Sequence, residues 1–478
     1  MKATTKTLIA VSALSVCALT MGMLNAQAPV GASGGRGRGG GQGGGLAPAV
    51  FTAVDLDKDG SLTRVELKSA LDAWYTGADT AKTGSVDKSQ LTATLTPVIN
   101  TAKPADVAAM TAALPSTPGA KPVRARKVLV FANAAGFVHS SIPLAAKTVD
   151  ALGNKGDLWL TTISYNPADI NTANLKQYDA IVLDSTTGCF LDDPKDKAAT
   201  DARRQAFLDF VRNGKGIAGI HAATDSYHSD CTATGGGGGS STPITLAGLL
   251  ITQGDKNSDQ KLTRQELAML ADSWYTQLDT DKSGKISQVD FVTRFTASVM
   301  PPAPAGGGGF GGGRGASGAG RGAGGGQGPI LQWPEFNQLI GGFFKFHWVY
   351  PQLITTKIDD PKSPLTAMFH GQEFEIHDET YTFNQDSFSR TNVHVLTSVD
   401  YDKMSPEDKA KETAATRRTD GDYALSYIRR EGKGRVFYEA HGHSETIYAM
   451  TPMLEHYRAG IQYALGDLKA DDSPSVKK

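Results

Sequence analysis

The stretch Gly216-Ile-Ala-Gly-Ile-His221 is a short apolar segment that ends at a histidine. Its length and its small and branched residues are typical of a buried β-strand. Similar segments precede it at residues 127–132, 158–164 and 179–184, and helical patterns such as residues 198–212 separate them. Alternating strands and helices predict an α/β fold with a doubly wound, mostly parallel sheet. Ligands of such sheets bind beyond the carboxyl ends of the strands.

Histidines recur where these strands and later apolar segments are predicted to end. The candidate site residues at this edge are His139, His221, His347, Glu379, Tyr381 and His443. A single histidine is more often a satisfied structural group than a catalyst. The recurrence of histidines at one predicted edge favours a functional site there.

A twelve-residue pattern typical of EF-hand calcium loops occurs twice, at an offset of 200 residues. The expected ligands of loop 1 (residues 55–66) are Asp55, Asp57, Asp59, Ser61, Thr63 and Glu66, with Ser61 acting through its carbonyl oxygen. Those of loop 3 (residues 255–266) are Asp255, Asn257, Asp259, Lys261, Thr263 and Glu266. In loop 3, Gln260 stands where a glycine normally makes the sharp turn, so we expect a strained residue with positive φ and weaker binding.

Each of these loops is followed by another whose first residue lies 24 positions later. Loop 4 (residues 279–290) offers Asp279, Asp281, Ser283, Lys285 and Asp290. Loop 2 (residues 79–90) is weaker, with Asp79, Thr83 and Asp87 and with Gln90 in place of the chelating glutamate. The four loops predict two small all-α EF-hand pairs, residues 47–100 and 244–300, that bind Ca²⁺ mainly to stabilise themselves.

Glycine-rich tracts mark the predicted domain boundaries, because such segments cannot bury a core. They give linkers at residues 29–46, 233–243 and 301–329, and a further linker is expected at residues 101–124. The α/β domain then comprises two segments, residues 125–232 and 330–470, followed by a tail at residues 471–478. The second EF-hand pair is therefore predicted to be inserted within the α/β domain.

The amino terminus has the pattern of a secretory signal peptide. Residues 1–28 combine two lysines, an apolar run and a small-residue cleavage site, which predicts export to the periplasm or the medium. No later apolar stretch is long enough to span a membrane. Cys189 and Cys231 then form either a disulfide or two independent buried thiols. The net charge of −1 at pH 7 argues against a nucleic-acid partner.

Several motifs, taken in order, resemble the ThuA family, which is named for trehalose utilisation and has a fold similar to class I glutamine amidotransferases. They are Phe137-Val-His139-Ser-Ser-Ile142, Ala218-Gly-Ile-His221, Trp333-Pro-Glu-Phe336, Gly341-Gly342 with His347, Asp378-Glu-Thr-Tyr381, Gly434-Arg-Val-Phe-Tyr438 and Gly442-His443. The resemblance covers about half of the chain. It departs from the family pattern after Asp225, where about a hundred residues precede Trp333.

The resemblance implies sugar chemistry on glucosides or their 3-keto forms. We expect His221 and Glu379 to act as acid and base, His139, His347 and His443 to orient the sugar or stabilise charge, and Tyr381 to donate a hydrogen bond. In a variant of this hypothesis the four histidines bind a divalent transition metal. Glutamine hydrolysis is not expected, because His221 stands where those enzymes carry the nucleophilic cysteine.

Two alternatives remain open from the sequence. The alternative to an enzyme is a noncatalytic carbohydrate-binding or scaffold protein, in which calcium-binding modules are tethered to a degenerate enzyme fold. The inserted EF-hand pair is either a lid over the pocket or a passenger on long tethers. The expected partner is a small-molecule carbohydrate. The sequence does not predict the oligomeric state.

Overall fold

The computed structural model describes residues 46–193, 196–227, 242–300 and 332–475. The predicted signal peptide, the glycine-rich tracts and Cys231 lie outside the described residues.

The described chain contains both helices and strands, which alternate regularly only within residues 127–220. The helices are α1 (Leu46–Val54), α2 (Arg64–Ala78), α3 (Lys88–Ile99), α4 (Pro104–Ala112), α5 (Ile142–Asn154), α6 (Thr172–Leu175), α7 (Lys197–Arg212), α8 (Thr242–Gly254), α9 (Arg264–Leu278), α10 (Gln288–Arg294), α11 (Pro334–Ile340), α12 (Pro406–Lys409) and α13 (Thr451–Leu465). The strands are β1 (Ser61–Leu62), β2 (Val86–Asp87), β3 (Lys127–Phe131), β4 (Leu160–Ser164), β5 (Ala180–Asp184), β6 (Gly216–Ile220), β7 (Lys261–Leu262), β8 (Ile286–Ser287), β9 (Phe344–Trp348), β10 (Leu353–Ile358), β11 (Phe374–His377), β12 (Thr380–Phe383), β13 (His394–Val399), β14 (Ala424–Glu431) and β15 (Gly434–Glu439). A π-helical turn, Phe295–Val299, follows α10.

The α/β domain is built on one large sheet with strand order β11-β10-β13-β14-β15-β6-β5-β3-β4. The strands β4, β3, β5, β6 and β15 are parallel to one another, which confirms the predicted α/β fold. The sheet continues beyond β15 through antiparallel pairs of strands from the C-terminal segment. Only the parallel half places several strand ends at one edge, so this half positions the site.

Helices cover both faces of the parallel half. Gly216 and Gly219 lie three residues apart in β6, so they face opposite sides of the sheet. A Cβ atom at Gly216 would clash with Ala464 of α13, and one at Gly219 would clash with Ile340 of α11. Helix α5 packs beside α13, and α7 packs beside α11. The sheet is therefore doubly wound, as predicted.

The calcium loops pair differently from their order in the chain. Loop 1 pairs with loop 4 through β1 and β8, where Leu62 is opposite Ile286. Loop 2 pairs with loop 3 through β2 and β7, where Val86 is opposite Leu262. The two sequence repeats therefore do not form separate pairs but share one hydrophobic core, and we call residues 46–99 and 242–300 together the EF module.

The EF module has approximate two-fold symmetry that follows the 200-residue sequence offset. Arg64 forms an ion pair with Asp272 at 3.1 Å, and Arg264 forms the matching ion pair with Asp72 at 2.5 Å. These exposed pairs contribute little energy. Because the two ion pairs match, residues 46–99 and residues 242–300 pack against each other in a symmetric way.

The EF module and the α/β domain have separate hydrophobic cores. The inserted segment leaves the α/β domain after Tyr227 and returns at Gln332, and the Gln332 amide donates a hydrogen bond of 3.1 Å to the Tyr227 carbonyl. The two ends of the insertion therefore lie next to each other, and the insertion does not interrupt the sheet of the α/β domain. No helix within the described ranges is both long and apolar enough to span a bilayer.

Candidate functional site

Four regions of the α/β domain bring the predicted site residues together. His139 lies in the loop after β3, His221 directly follows β6, and His443 lies in the loop after β15. His347 and Glu379 come from a separate two-stranded ribbon of β9 and β12, in which His347 is opposite Tyr381. The sequence predicted one sheet edge for all of them, whereas the structure adds the ribbon to the carboxyl ends of the parallel strands.

The four histidines surround one carboxylate, and we call this group the histidine cluster (His139, His221, His347, His443 and Glu379). Oxygen Oε2 of Glu379 lies 3.2 Å from Nε2 of His221, 3.1 Å from Nδ1 of His443 and 3.9 Å from Nε2 of His139. Oxygen Oε1 lies 2.6 Å from Nδ1 of His347. The two carboxylate oxygens therefore face different partners.

Access to the histidine cluster differs among its members. The side chains of His139 and His221 are 2% and 0% exposed, whereas those of His443 and His347 are 13% and 33% exposed. A ligand from solvent would therefore meet His347 and His443 first.

His221 has a strained backbone with φ of 47°. Such a conformation costs a non-glycine residue of the order of 1–3 kcal/mol and persists only where the surroundings enforce it. The Tyr438 hydroxyl donates to the His221 carbonyl at 2.6 Å, and Nδ1 of His221 lies 2.7 Å from the Ala440 carbonyl. Because a carbonyl only accepts, this contact puts the proton on Nδ1 and leaves a lone pair on Nε2 of the neutral ring.

The charges of the cluster depend on its burial. Burial alone would raise the pKa of Glu379, but the contacts with four histidines outweigh it and hold this pKa well below its usual value. Burial lowers the pKa of His139 to about 3, so that ring is neutral at physiological pH. Burial opposes charge on His443 too, but Glu379 raises its pKa overall. The cluster therefore combines a carboxylate that resists protonation with at least one neutral ring, that of His139.

Asp378 connects the two segments that carry Glu379 and His443. Its buried carboxylate accepts hydrogen bonds from the backbone amides of Gly442 at 2.7 Å, His443 at 3.2 Å and Ser444 at 2.9 Å. Asp378 was noted in sequence only as a neighbour of Glu379. Its structural role is to position the His443 loop against the ribbon.

A second buried group supports the same loop. Glu439 lies 2.7 Å from Nδ1 of His441 and 3.0 Å from Nε2 of His456. Burial would raise the pKa of Glu439, but the two histidines lower it overall. Burial lowers the pKa of His441, but the hydrogen bond and charge of Glu439 outweigh this and raise it. Both shifts favour the charged forms of Glu439 and His441, which the sequence did not indicate.

Replacing Glu439 by glutamine should destabilise the α/β domain. The Glu439→Gln change leaves buried His441 without a counter-charge, and breaking a buried ion pair in this way costs about 3–5 kcal/mol. Calorimetric melting of the full chain measures the effect. The exposed Glu375, on β11, provides the control Glu375→Gln, for which we expect no comparable change. Equal melting temperatures for the two variants would contradict the assignment of a charged pair.

Aromatic side chains flank the buried His139 and the partly exposed His443. The ring of Phe137 contacts that of His139 at 4.7 Å, and Tyr350 stacks beside His443 at 6.0 Å between centroids. Phe137 is 49% exposed, which is unusual for a phenylalanine. Aromatic walls with a few polar groups are typical of small-molecule sites.

Tyr381 lies behind this rim in the buried part of the cluster. Its ring centroid is 4.5 Å from that of His221, and burial raises its pKa well above the usual value. The raised pKa keeps the phenol neutral, and the hydrogen-bond donation expected for Tyr381 from the sequence stays a prediction.

All four calcium loops share the same backbone conformation. The fourth residue of each loop, Lys58, Lys82, Ser258 and Lys282, has φ between 54° and 65°. In loop 1, oxygens of Asp55, Asp57 and Asp59 lie within 4.8 Å of one another, which could hold a metal ion. Even loop 2, which lacks the chelating glutamate, keeps this geometry.

The last positions of the loops also cap the helices that follow. Thr63 and Thr263 are N-caps in capping boxes with Glu66 and Glu266, and Asp87 and Ser287 are the N-caps of α3 and α10. In loop 4, Arg294 lies 3.4 Å from Asp281 and 3.6 Å from Asp290. Lys285 of loop 4 forms an ion pair of 2.9 Å with Asp59 of loop 1. These exposed cations must release the carboxylates when calcium binds.

Gln260 has φ of 61°, as expected at a position that normally requires glycine. We expect Gln260→Gly to relieve this strain and stabilise the calcium-saturated EF module by about 1 kcal/mol. Gln260→Ala is the matched control, because alanine retains the strain. The melting temperatures of the two variants are compared in saturating calcium. An equal rise in melting temperature for Gln260→Ala would mean that loss of the glutamine side chain, and not relief of strain, causes the effect.

Cys189 is disulfide-bonded. Its partner lies outside the described residues, so the pairing with Cys231, one of the two alternatives drawn from the sequence, stays a hypothesis. Cys189 is the one cysteine in the described ranges, and it provides no free thiol at the turn after β6, where His221 stands.

Comparison with known families agrees with this architecture. The ThuA family, described as trehalose utilisation, matches residues 127–314 and 305–464, and an EF-hand family matches residues 47–71. The α/β domain is thus of the ThuA class, combined with calcium-binding EF-hands. This chain belongs to the ThuA family.

Two solved structures of proteins described as ThuA-like are similar to this chain at low sequence identity. A protein described as ThuA-like from Bacteroides uniformis is 15% identical, with a TM-score of 0.40, covering 73% of this chain and 94% of its own. A second, from Parabacteroides merdae, is 11% identical, with a TM-score of 0.35, covering 75% of this chain and 95% of its own. No curated protein matches the chain.

Proposed function

We propose that this chain is an exported calcium-binding protein whose ThuA domain acts on a carbohydrate of the glucoside or 3-keto-glucoside class by proton transfer. The observation that carries the proposal is the convergence of four histidines on Glu379, two of them partly exposed within an aromatic rim. The description of the family as trehalose utilisation supports a sugar as the ligand.

His347 is the best candidate for the base. Its Nδ1 lies 2.6 Å from Oε1 of Glu379, an oxygen that can only accept, so a hydrogen bond between these atoms would place the proton on Nδ1 and leave Nε2 to take one from a substrate. The pair makes no aligned hydrogen bond among the described atoms. Such pairs often align only when substrate is bound.

The proposed roles of His221 and Glu379 change accordingly. The sequence suggested them as acid and base, but Glu379 has a strongly lowered pKa, which makes it a weak base. His221 is completely buried behind the accessible members. We therefore assign Glu379 to orient His347, and His221 with His139 to stabilise charge in the buried part of the site.

The proposed step removes a proton from the carbon next to a keto group. The electrons of the broken C–H bond form a carbon–carbon double bond, and those of the carbonyl π bond move to oxygen, which gives an enolate. His347 holds the proton, and the buried part of the cluster with the Tyr381 phenol stabilises the enolate oxygen. Return of the proton to a neighbouring atom completes an isomerisation, whereas loss of a neighbouring oxygen substituent completes an elimination.

Export is supported by the amino-terminal signal pattern and by the disulfide of Cys189, because disulfides persist outside the cytoplasm. Millimolar calcium in such compartments suits loops of ordinary affinity. Calcium thus stabilises the EF module, and the chemistry belongs to the ThuA domain.

A turnover screen on glucosides and 3-keto-disaccharides tests the proposal. We compare the wild-type protein with His221→Ala and Glu379→Gln, and we expect product from the wild type alone. Equal conversion in all three proteins would reject the histidine cluster as the centre of the reaction. Binding of a sugar without conversion by the wild type would instead favour a noncatalytic carbohydrate-binding protein.

A further inference from the structure

We propose that His139, His221, His443 and Glu379 form a binding site for one divalent transition-metal ion. The proposal does not rest on the carbohydrate reaction, because metal binding is measured without substrate. It is independent of the calcium loops, which offer only oxygen ligands, whereas this site offers three imidazole nitrogens and one carboxylate oxygen.

The spacing of the four ligand atoms fits a metal ion. Metal–nitrogen and metal–oxygen distances of about 2.0–2.2 Å in a tetrahedral site imply ligand–ligand separations of about 3.3 Å. The observed separations are 3.2 Å for His139 to His221, 3.2 Å for His221 to Glu379 and 3.1 Å for His443 to Glu379. Glu379 to His139 is 3.9 Å, and all four atoms lie within 4.8 Å of one another. Small side-chain rotations bring these atoms onto one ion.

The hydrogen bond of His221 to the backbone leaves its other ring nitrogen able to bind a cation. Because Nδ1 of His221 donates to the Ala440 carbonyl, its Nε2 presents a lone pair to Glu379, which is also an acceptor. Nδ1 of His443 is buried and makes no aligned hydrogen bond within the described ranges, although it lies beside the same oxygen. Acceptors that face one another at this distance repel unless a proton or a metal lies between them.

The surroundings of the ligands are those of a metal site. A carbonyl on the far nitrogen of His221 fixes the orientation and tautomer of the ring, as such groups do for metal-binding histidines. Asp378 fixes the His443 loop through three backbone hydrogen bonds. The ion would be reached from the side of His443 and His347, which are the partly exposed members.

His347 is not one of the proposed ligands, because it faces the other carboxylate oxygen. Glu379 would then bridge the ion through Oε2 and His347 through Oε1. A bound ion would polarise a substrate carbonyl as a Lewis acid while His347 accepts the proton. The two proposals are compatible, but each can fail alone.

The test is transition-metal binding by the full-length mature chain. Protein stripped with chelator is placed in excess calcium to fill the EF loops and titrated with Co²⁺, whose visible absorption reports coordination by nitrogen ligands. Zinc retained after dialysis is counted separately by mass spectrometry. We expect about one equivalent of either metal per chain.

Variants locate the binding. His443→Ala and Glu379→Gln should each weaken binding by more than roughly 100-fold, the loss that mutation of an outer-shell partner can reach. His443 is partly exposed on a loop, so His443→Ala should disturb folding less than Glu379→Gln does. Calorimetric melting checks that the His443→Ala variant is folded. Glu66→Gln in loop 1 and His370→Asn at an exposed histidine are controls that should bind the metal as the wild type does.

The outcomes separate the possibilities. No retained metal in the wild type, or equal retention by folded His443→Ala, would overturn the metal site. His347→Gln should keep the metal, so loss of turnover in that variant concerns only the proposed reaction. Turnover by a wild-type protein that binds no metal would leave the carbohydrate proposal standing and remove this one.

Discussion

Replacing His347 by glutamine is expected to lower kcat on a 3-keto-glucoside by about 10²–10⁴-fold, the usual contribution of a general base. Glutamine fills a similar volume and leaves the ribbon of β9 and β12 intact, but its amide cannot accept the substrate proton. KM should change much less than kcat, because the aromatic rim of Phe137 and Tyr350 is untouched. Steady-state kinetics on the folded variant measures both constants.

The control for this variant is His370→Asn, which removes an exposed histidine while keeping a residue that tolerates the positive φ of 53° at that position. Its kinetics should match those of the wild type. A kcat of His347→Gln within a few-fold of the wild type would remove His347 from the proton transfer and return that role to another member of the cluster.

Deleting residues 235–328 is expected to unfold the remaining half of the EF module. The core of the module mixes residues of both repeats, and the ring of Phe51 in α1 packs against Phe291 in α10. Without the insert, residues 46–99 would expose one face of that core and lose the strand partners of loops 1 and 2. We expect loss of the calcium-dependent melting transition and rapid proteolysis of the N-terminal segment, while the α/β domain still melts cooperatively.

The same deletion has an internal check in the α/β domain. The hydrogen bond between Tyr227 and Gln332 brings the two ends of the insertion together, so residues 228–234 and 329–331 can link them without strain. A milder variant, Phe291→Ala, should cost the whole EF module about 3–5 kcal/mol. A deletion variant that retains tight calcium binding in loop 1 would contradict the shared core.

The deletion also decides between the lid and the passenger interpretations of the insert. A lid requires that activity or sugar binding depend on calcium, and that this dependence disappear with residues 235–328. Unchanged calcium dependence in the deletion variant would leave the insert as a passenger.

Much of the fold could be read from local sequence patterns. The apolar runs at residues 127–132, 179–184 and 216–221 became β3, β5 and β6 with bounds within about one residue, because fully buried parallel strands have few polar positions. The antiparallel half of the sheet was not predicted. Its pairing depends on contacts between distant segments, which periodicity does not report.

The calcium loops illustrate a different limit. Ligand spacing identified all four loops, because each ligand position is fixed by local backbone geometry. The pairing of loop 1 with loop 4 was missed, since two similar repeats can satisfy their hydrophobic faces either within one repeat or across two. The same sequence pattern fits pairing within a repeat and pairing between repeats. Only the shared hydrophobic core of the structure shows that pairing occurs between the repeats.

The site was foreseen in its residues more than in its arrangement. His139, His221, His347, Glu379 and His443 were all selected, and the structure brings them together around one carboxylate. The roles of Asp378 and Glu439 were not foreseen, although both lie in segments that the sequence singled out. A buried acid that orients a loop has no local pattern, because its partners are backbone amides and distant histidines.

Hydrogen–deuterium exchange at carbon measures directly whether His347 removes the proton next to the keto group. A 3-keto-glucoside in D₂O is followed by proton NMR with and without the protein, and the signal of the hydrogen next to the keto group is integrated. We expect the wild type to accelerate the replacement of this hydrogen by deuterium. The His347→Gln variant should not accelerate it, whether or not a later product forms. Exchange at the uncatalysed rate with wild type, or equal acceleration by His347→Gln, would contradict this role of His347.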